Sequence, residues 1–365
     1  MNLRPRLLAF TFAVLLLLPM LDQALGLSIR FSSTENRQVQ GMPALNFPHV
    51  RSFVHQFDRY YKENFGWRNA LFYAYSRWKF NMLGLSPLPE KVVVGKNGWF
   101  YLGNSYNKVI DQHRGLQPLS ADSARRIADH LINRQQELAQ QGAQLYIFIA
   151  PDSHTIYPEY LPDHLQQSPA PSRLDILKEA INKTTLRFVD IRDTLRAAKR
   201  NHVVYYQTDT HWNEYGTLIG CAALLNRIRL DQPTVAPVRL SDYHIEQQRG
   251  GAGDLTTMLT LQDEQKDPLY YYIKPVPNRM GRQTALIPNE ALGFPSTRFT
   301  GPGSGRLLFV GDSFSHGMMG YLPGYFRESY FVRSNQLDPI LVKTERPTVV
   351  VIEIVERNIN KLATF

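Results

Sequence analysis

Two short motifs hold the residues best suited to chemistry. Asp209-Thr210-His211-Trp212 sets a carboxylate two positions before an imidazole. Gly311-Asp312-Ser313-Phe314 sets a serine just after the apolar run Leu307-Leu308-Phe309-Val310. Ser313, His211 and Asp209 together are the parts of a Ser-His-Asp nucleophilic site. A serine hydroxyl is a weak nucleophile until a base takes its proton, and an imidazole titrates near neutral pH. In an extended segment, side chains at i and i+2 share one side. Asp209 would therefore hold one ring nitrogen of His211 and leave the other facing Ser313, and the leading chemistry is acyl transfer. Each motif alone has a plainer reading: Gly-Asp-Ser as a helix N-cap, Asp-Thr-His as a turn with a structural histidine. A divalent-metal site built from Asp209 and His211 with Asp152 or His154 competes. Neither a His-Glu-x-x-His spacing nor paired cysteines accompany it, so the expectation is catalysis without metal or cofactor.

Such residues need rigid elements behind them. Buried-type strands are predicted at 145–149, 186–189, 203–206, 307–310 and 349–354. Between them fall helices over 121–141, capped by Ser120 and closed by Gly142, over 172–182, capped by Ser172, over 194–200 and over 214–229. Strand–helix alternation implies an open, mostly parallel sheet flanked by helices. Sites in such folds gather at the carboxyl ends of strands. Asp209, His211 and Ser313 all follow predicted strands, as does Asp152-Ser153-His154, and this convergence favours catalysis over the plainer readings. Upstream, residues 49–83 are helical, interrupted at Asn64-Phe65-Gly66-Trp67-Arg68. Their aromatic residues fall at helical spacing, which predicts a core face rather than a sugar platform. Val92-Val93-Val94 and Trp99-Phe100-Tyr101 flank Asn97-Gly98 and predict a β-hairpin. Residues 231–302 are rich in Pro, Gly and polar residues around a strand at 270–273, and are expected to be an irregular insertion before the nucleophile strand, carrying substrate loops or small β elements.

The chain has 365 residues, 20% of them charged and 43% hydrophobic, an ordinary globular balance. Its net charge of +9 suits either simple solubility or an anionic partner. The densest basic group, Arg196, Lys199 and Arg200, fits a helix end, so nucleic acid is not an expected partner. Cys221 is the only cysteine, which excludes an intramolecular disulfide and a Cys-based metal site. Its apolar neighbours predict burial. Arg4 and Arg6 precede an uncharged run from Leu7 to Leu21, followed by Ala24-Leu25-Gly26. This is the pattern of an export signal, cleaved or retained as an inner-membrane anchor. The expected division is a leader or anchor over 1–26 and one domain over 27–365. Within that domain, 27–115 forms an N-terminal helical and hairpin extension that begins with a polar linker over 32–42. The body would lie in the periplasm.

The chain resembles the AlgJ/AlgX-like, DHHW-type proteins of the SGNH hydrolase superfamily. The resemblance covers nearly everything after the leader. It rests on Phe65-Gly66-Trp67-Arg68, Gly95-Lys96-Asn97-Gly98-Trp99-Phe100-Tyr101 and Tyr157-Pro158-Glu159-Tyr160-Leu161-Pro162. It continues through Asp209-Thr210-His211-Trp212, Gly253-Asp254-Leu255, Gly311-Asp312-Ser313-Phe314 and Glu353-Ile354-Val355-Glu356-Arg357. It implies an SGNH-hydrolase-like (flavodoxin-like) α/β fold, with serine, histidine and aspartate mapping to Ser313, His211 and Asp209. Here Asp and His precede Ser, the reverse of ordinary SGNH esterases. Tyr321 and Arg333 would be substrate contacts. The activity implied is O-acetylation of an exported polysaccharide such as alginate, beside a membrane-bound O-acyltransferase and other secretion components. Two alternatives stand: a carbohydrate esterase with the same triad, and a non-catalytic binding subunit of an export complex.

Overall fold

The computed structural model describes residues 3–26, 28, 40–45, 47–48, 50–288 and 293–365. Most of the linker expected at 32–42 lies outside them, as does part of the 231–302 segment. Among the described residues there are eleven strands: β1 (Val92–Val94), β2 (Phe100–Leu102), β3 (Gln144–Ala150), β4 (Arg187–Asp190), β5 (Tyr243–Gln248), β6 (Tyr270–Pro275), β7 (Arg282–Ile287), β8 (Ser296–Thr300), β9 (Arg306–Gly311), β10 (Glu328–Arg333) and β11 (Val349–Val355). Seven form the central sheet in the order β4-β3-β11-β9-β10-β8-β7. β4, β3, β11, β9 and β10 run parallel, and β8 and β7 close one edge antiparallel. The chain steps outward from β3 to β4 on one side and from β9 to β10 on the other. Such a reversal opens a crevice at the carboxyl ends of the strands.

The period of two explains how both faces are buried. Along β11, Val349, Val351 and Val355 enter one core cluster with Leu218, Leu224 and Phe309. Val350, Ile352 and Ile354 enter the other with Leu131, Leu174 and Leu308. The Glu214–Asp231 helix covers the first face, and the Ala121–Gln140 and Arg173–Ile181 helices cover the second. Caps fall at the predicted serines. Ser120 Oγ accepts from the Ser123 N–H, and Ser172 forms a reciprocal capping box with Asp175. The β1–β2 hairpin turns at Asn97 and Gly98, both at positive φ, which a type I′ turn requires. Cys221 is buried, as its neighbours predict.

Three expectations need correction. The strand at 203–206 is absent: Tyr205 makes an isolated bridge to Trp212 inside a buried loop. Asn213 takes the backbone there, its amide donating to the Val203 carbonyl at 2.7 Å and its N–H to that of Val204 at 3.1 Å. Pairing stops at that single bridge and does not extend into a ladder. Gly216, in the first turn of the next helix, lies against the Val204 carbonyl, where a Cβ would overlap the oxygen. Gly216→Ala is therefore expected to cost about 1–3 kcal/mol or more, read as a lowered midpoint in thermal unfolding. Secondly, the 231–302 insertion is less irregular than expected, and its β elements are partly integral to the central sheet. It supplies β7 and β8 to the sheet edge and the β5–β6 pair. β6 matches the strand expected at 270–273, whereas the mostly exposed β5 and β7 offer no apolar alternation for a periodicity reading.

Thirdly, the aromatic face at 49–83 is not core. The Val50–Asn64 and Arg68–Leu83 helices form as predicted, but every residue of the first is exposed or half-buried. In the second, Ser76 and Ala70 are the buried positions. Arg77 fixes that helix to the body, bonding the Thr260 carbonyl at 2.7 Å and pairing with Asp263 and Glu264. The polar face faces inward, so the aromatic stripe must face outward. The leader region forms the Leu3–Leu25 helix. Among the described residues, no helix is long and apolar enough to cross a membrane.

Candidate functional site

The carboxyl end of β9 delivers Ser313 in a tight turn ahead of the short Ser315–Met318 helix. That turn is shaped by neighbours of the serine. Asp312 accepts from the Phe314 N–H at 3.0 Å and, through its other oxygen, from the Val355 N–H at 2.9 Å. The Asp312 N–H donates to Glu353 Oε2 at 2.9 Å. Glu353 occupies the β11 position between Val351 and Val355 and is fully buried. Burial, and then the nearby Asp312 charge, push its carboxyl well above the usual range. Gly311 leaves room for it, since a Cβ there would overlap Glu353 Oε2.

The Asp-Thr-His loop faces this turn. His211 Nε2 lies 2.9 Å from Ser313 Oγ, and His211 Nδ1 lies 2.7 Å from Asp209 Oδ1. The same Asp209 oxygen accepts the His211 backbone N–H at 2.9 Å. The three residues named from the sequence are thus joined in one chain of hydrogen bonds. Burial alone would lower the imidazole pKa, but the Asp209 carboxylate outweighs it and His211 is raised above its ordinary 6.5. Asp209 moves the other way: burial opposes ionisation, yet the bonds from His211 and the Asp254 N–H hold it below the usual carboxylate value.

A second layer, to which the sequence assigned no role, locks this loop. The Asp254 N–H donates to Asp209 Oδ2 at 3.0 Å, while the Asp254 carboxylate accepts the Thr210 N–H at 2.8 Å and the Thr210 hydroxyl at 2.7 Å. Asp267 accepts from the Gln207 N–H and the Thr208 hydroxyl. Burial pushes Asp267 up to about 6. Gly253 packs against Thr208 so closely that a Cβ would overlap its carbonyl. The sequence signal for this layer is the Gly253-Asp254 pair within an otherwise irregular stretch.

Donor atoms of Asp209, His211 and Asp254 lie within 4.8 Å of one another, near enough to hold a cation. Each is already engaged, however: both Asp209 oxygens with N–H groups, both Asp254 oxygens with Thr210, and Nε2 with Ser313. Such a donor set suits a hydrogen-bonded triad better than a resident ion. Asp152 and His154 do not join it. Asp152 pairs with Arg357, and His154 is buried with Nε2 against the Leu102 carbonyl at 3.1 Å. The strand-end position of Asp152 thus serves the positioning of Arg357, which lines the site.

A cleft of about 580 Å³ opens over Ser313 and His211. Tyr321 and Arg333, the two residues named downstream of the serine, both line it. Arg333 stacks over the Phe294 ring at 3.7 Å, and the Tyr321 hydroxyl donates to the Glu214 carbonyl at 3.4 Å. Trp212, Tyr106 and Arg357 complete a wall of rings and guanidinium groups.

Residues 92–330 match the family described as ALGX: SGNH hydrolase-like domain, acetyltransferase AlgX. A probable alginate O-acetylase AlgJ from Pseudomonas aeruginosa is 26% identical over 235 residues, covering 61% of this chain and 55% of that protein. The chain spans about half the length of the curated relatives it matches. Among solved structures, PatB1 of Bacillus cereus aligns with a TM-score of 0.55 at 13% identity, over 73% of this chain and 96% of the other. A DHHW family protein from Eubacterium siraeum aligns at 0.53 with 16% identity, over 74% and 93%. At these identities the likeness is one of fold.

Proposed function

We propose, from the premise that the chain belongs to the SGNH hydrolase-like family of acetyltransferase AlgX, that it is an O-acetyltransferase acting on hydroxyls of an exported polysaccharide, alginate or a similar polymer. The observation that carries this is the bridging position of His211, bonded to Asp209 on one nitrogen and Ser313 on the other. Ser313 Oγ attacks the acetyl carbonyl of a donor while His211 Nε2 takes the hydroxyl proton. The donor's leaving group departs with that proton, and the acetyl stays on Ser313 as an ester. A sugar hydroxyl then attacks this ester, passing its proton to His211, and the proton returns to Ser313 as the C–O bond breaks. The Phe314 N–H is held by Asp312, so the Ser313 N–H is the turn's donor for the oxyanion. The rings and guanidinium groups of the cleft suit a sugar chain bearing carboxylates.

The name of the Pseudomonas relative supports the polysaccharide reading, and the basic, apolar leader supports export to the periplasm. A membrane-bound O-acyltransferase is the proposed source of acetyl groups, since the cleft faces only the outside compartment in that scheme. The carbohydrate esterase reading differs in one respect: water, not sugar, meets the acyl-enzyme. A chromogenic acetyl ester supplied with and without oligosaccharide acceptor separates the two. Acetyl appearing on the acceptor is the expected result, and acetate alone under every acceptor would favour the esterase. In the same assay kcat/KM is expected to rise with pH. His211 must be neutral to act as base, and its pKa is raised above 6.5. Below that raised pKa the rate falls about tenfold per pH unit, and an acid limb centred below 6.5 would contradict the Asp209–His211 coupling.

A further inference from the structure

The largest feature that the proposed chemistry leaves unused is the outward stripe on the two N-terminal helices. Leu71, Tyr75, Trp78 and Met82 follow one another at i, i+4, i+7 and i+11, on one face of the Arg68–Leu83 helix. They are 58%, 42%, 55% and 75% exposed. The opposite face carries Arg77 and Phe80, the one bonded to the 260–264 segment and the other stacked on Phe100 at 5.8 Å. Packing has therefore settled which side faces out. Val50, Val54, Phe57 and Tyr61 repeat the same spacing on the Val50–Asn64 helix and are also exposed. A soluble domain has no use for two aromatic–aliphatic stripes of this length in water.

Charge and neighbourhood say what covers them. Residues 50–83 contain six Lys or Arg against two Asp or Glu, and the whole chain is +9. The turn between the helices is tied to the end of the apolar Leu3–Leu25 helix. The Trp67 N–H donates to Asp22 Oδ2 at 2.9 Å, and Gly66 abuts the Pro19 carbonyl. On that helix Leu7, Leu8, Phe10, Phe12 and Leu15 are exposed as well. Apolar stripes with Trp and Tyr, bracketed by basic residues, are the composition of helices that lie in a membrane interface rather than across it. We propose that the Val50–Asn64 and Arg68–Leu83 helices dock on the surface of a lipid bilayer with anionic headgroups. The aromatic stripe enters the headgroup region and the basic residues other than the inward-facing Arg77 meet the lipid phosphates. This surface holds the domain against a membrane in addition to whatever the leader does.

Trp78, 55% exposed, is the main reporter among the four tryptophans: Trp99 and Trp212 are buried in the body and Trp67 is half-buried in the turn between the helices, so the Trp78→Ser variant gives the Trp67 background. The full chain is mixed with vesicles of phosphatidylcholine and phosphatidylglycerol, sedimented, and read by tryptophan emission. The expected result is co-sedimentation with a blue shift, weaker on phosphatidylcholine alone. The combined variant Phe57→Ser, Tyr75→Ser, Trp78→Ser is expected to reduce the bound fraction about tenfold or more. Met82→Gln, at a still more exposed position, gives an independent and smaller loss. Both variants should keep the thermal midpoint, since these side chains contribute little to the core. Unchanged binding in the combined variant would show that the Leu3–Leu25 helix alone holds the lipid, and would overturn the proposal. So would a wild-type chain that stays in the supernatant, or Trp78 emission that answers to oligosaccharide but not to vesicles.

Discussion

Ser313→Ala is expected to lower acetyl transfer by about 10⁴-fold or more, since removal of the nucleophile leaves only binding and oxyanion contacts. The folded structure should survive. The turn that presents Ser313 is held by Asp312, through the Phe314 and Val355 N–H groups, and by Glu353 through the Asp312 N–H. The serine side chain contributes one hydrogen bond, to His211 Nε2. Its loss leaves that nitrogen facing an open cleft where water can replace the hydroxyl. The variant should therefore unfold within a degree or two of the parent, at a cost of about 1 kcal/mol or less. The measurement is ester cleavage and acetyl transfer to an oligosaccharide, beside thermal unfolding of both proteins. Full loss of activity with an unchanged midpoint is the expected pattern. Normal transfer by Ser313→Ala would remove the acyl-serine mechanism altogether and return the polysaccharide-binding reading.

The sequence discloses this site unevenly, and the reasons are physical. Ser313 was legible because a strand buried on both faces must be a continuous apolar run, and Leu307–Val310 is one that ends at a glycine. Asp209 and His211 were legible because two positions suffice to align a carboxylate with an imidazole. The segment before them looks like a strand in sequence but is not one. Val203, Val204, Tyr205 and Tyr206 have the composition of a strand, but Asn213 and the Tyr157 hydroxyl take their backbone groups instead. That choice is made by tertiary contacts and leaves no local periodicity. Asp254 lies 45 residues from Asp209 in a stretch without pattern, so its role depends on how a long loop closes. Glu353 is hidden for the opposite reason: one acid in a run of Val and Ile reads as part of a strand, and only the register shows it beneath the turn that presents Ser313. The aromatic helices were legible as helices but not in their facing. Periodicity gives the stripe, whereas the ion pairs of Arg77 with Asp263 and Glu264 decide which side turns inward.

Asp209→Asn is the sharper test of how the site works, because it preserves shape and removes a charge. A loss of about 10³- to 10⁴-fold in kcat is expected. In the parent, Asp209 Oδ1 accepts both His211 Nδ1–H and the His211 backbone N–H, while Oδ2 accepts the Asp254 N–H. Every contact of this carboxylate is with a donor, and an amide can satisfy only one side of it. If the new oxygen faces His211, the amide nitrogen meets the Asp254 N–H, donor against donor. If the amide turns round, it donates to Nδ1 and forces the proton onto Nε2, the nitrogen that must accept from Ser313. Either arrangement leaves one buried N–H unpaired, at a cost of about 1–3 kcal/mol. The charge that raises the His211 pKa is gone in both. Residual activity should therefore have its acid limb at lower pH than the parent, because burial, which lowers the imidazole pKa, is then opposed only by the weaker influence of the Asp254 charge. A purely structural role for Asp209 would lower activity and stability together while leaving the limb where it was. The shift of the pH profile, measured on the residual rate alongside thermal unfolding, separates a carboxylate that orients and charges the base from one that only closes a loop.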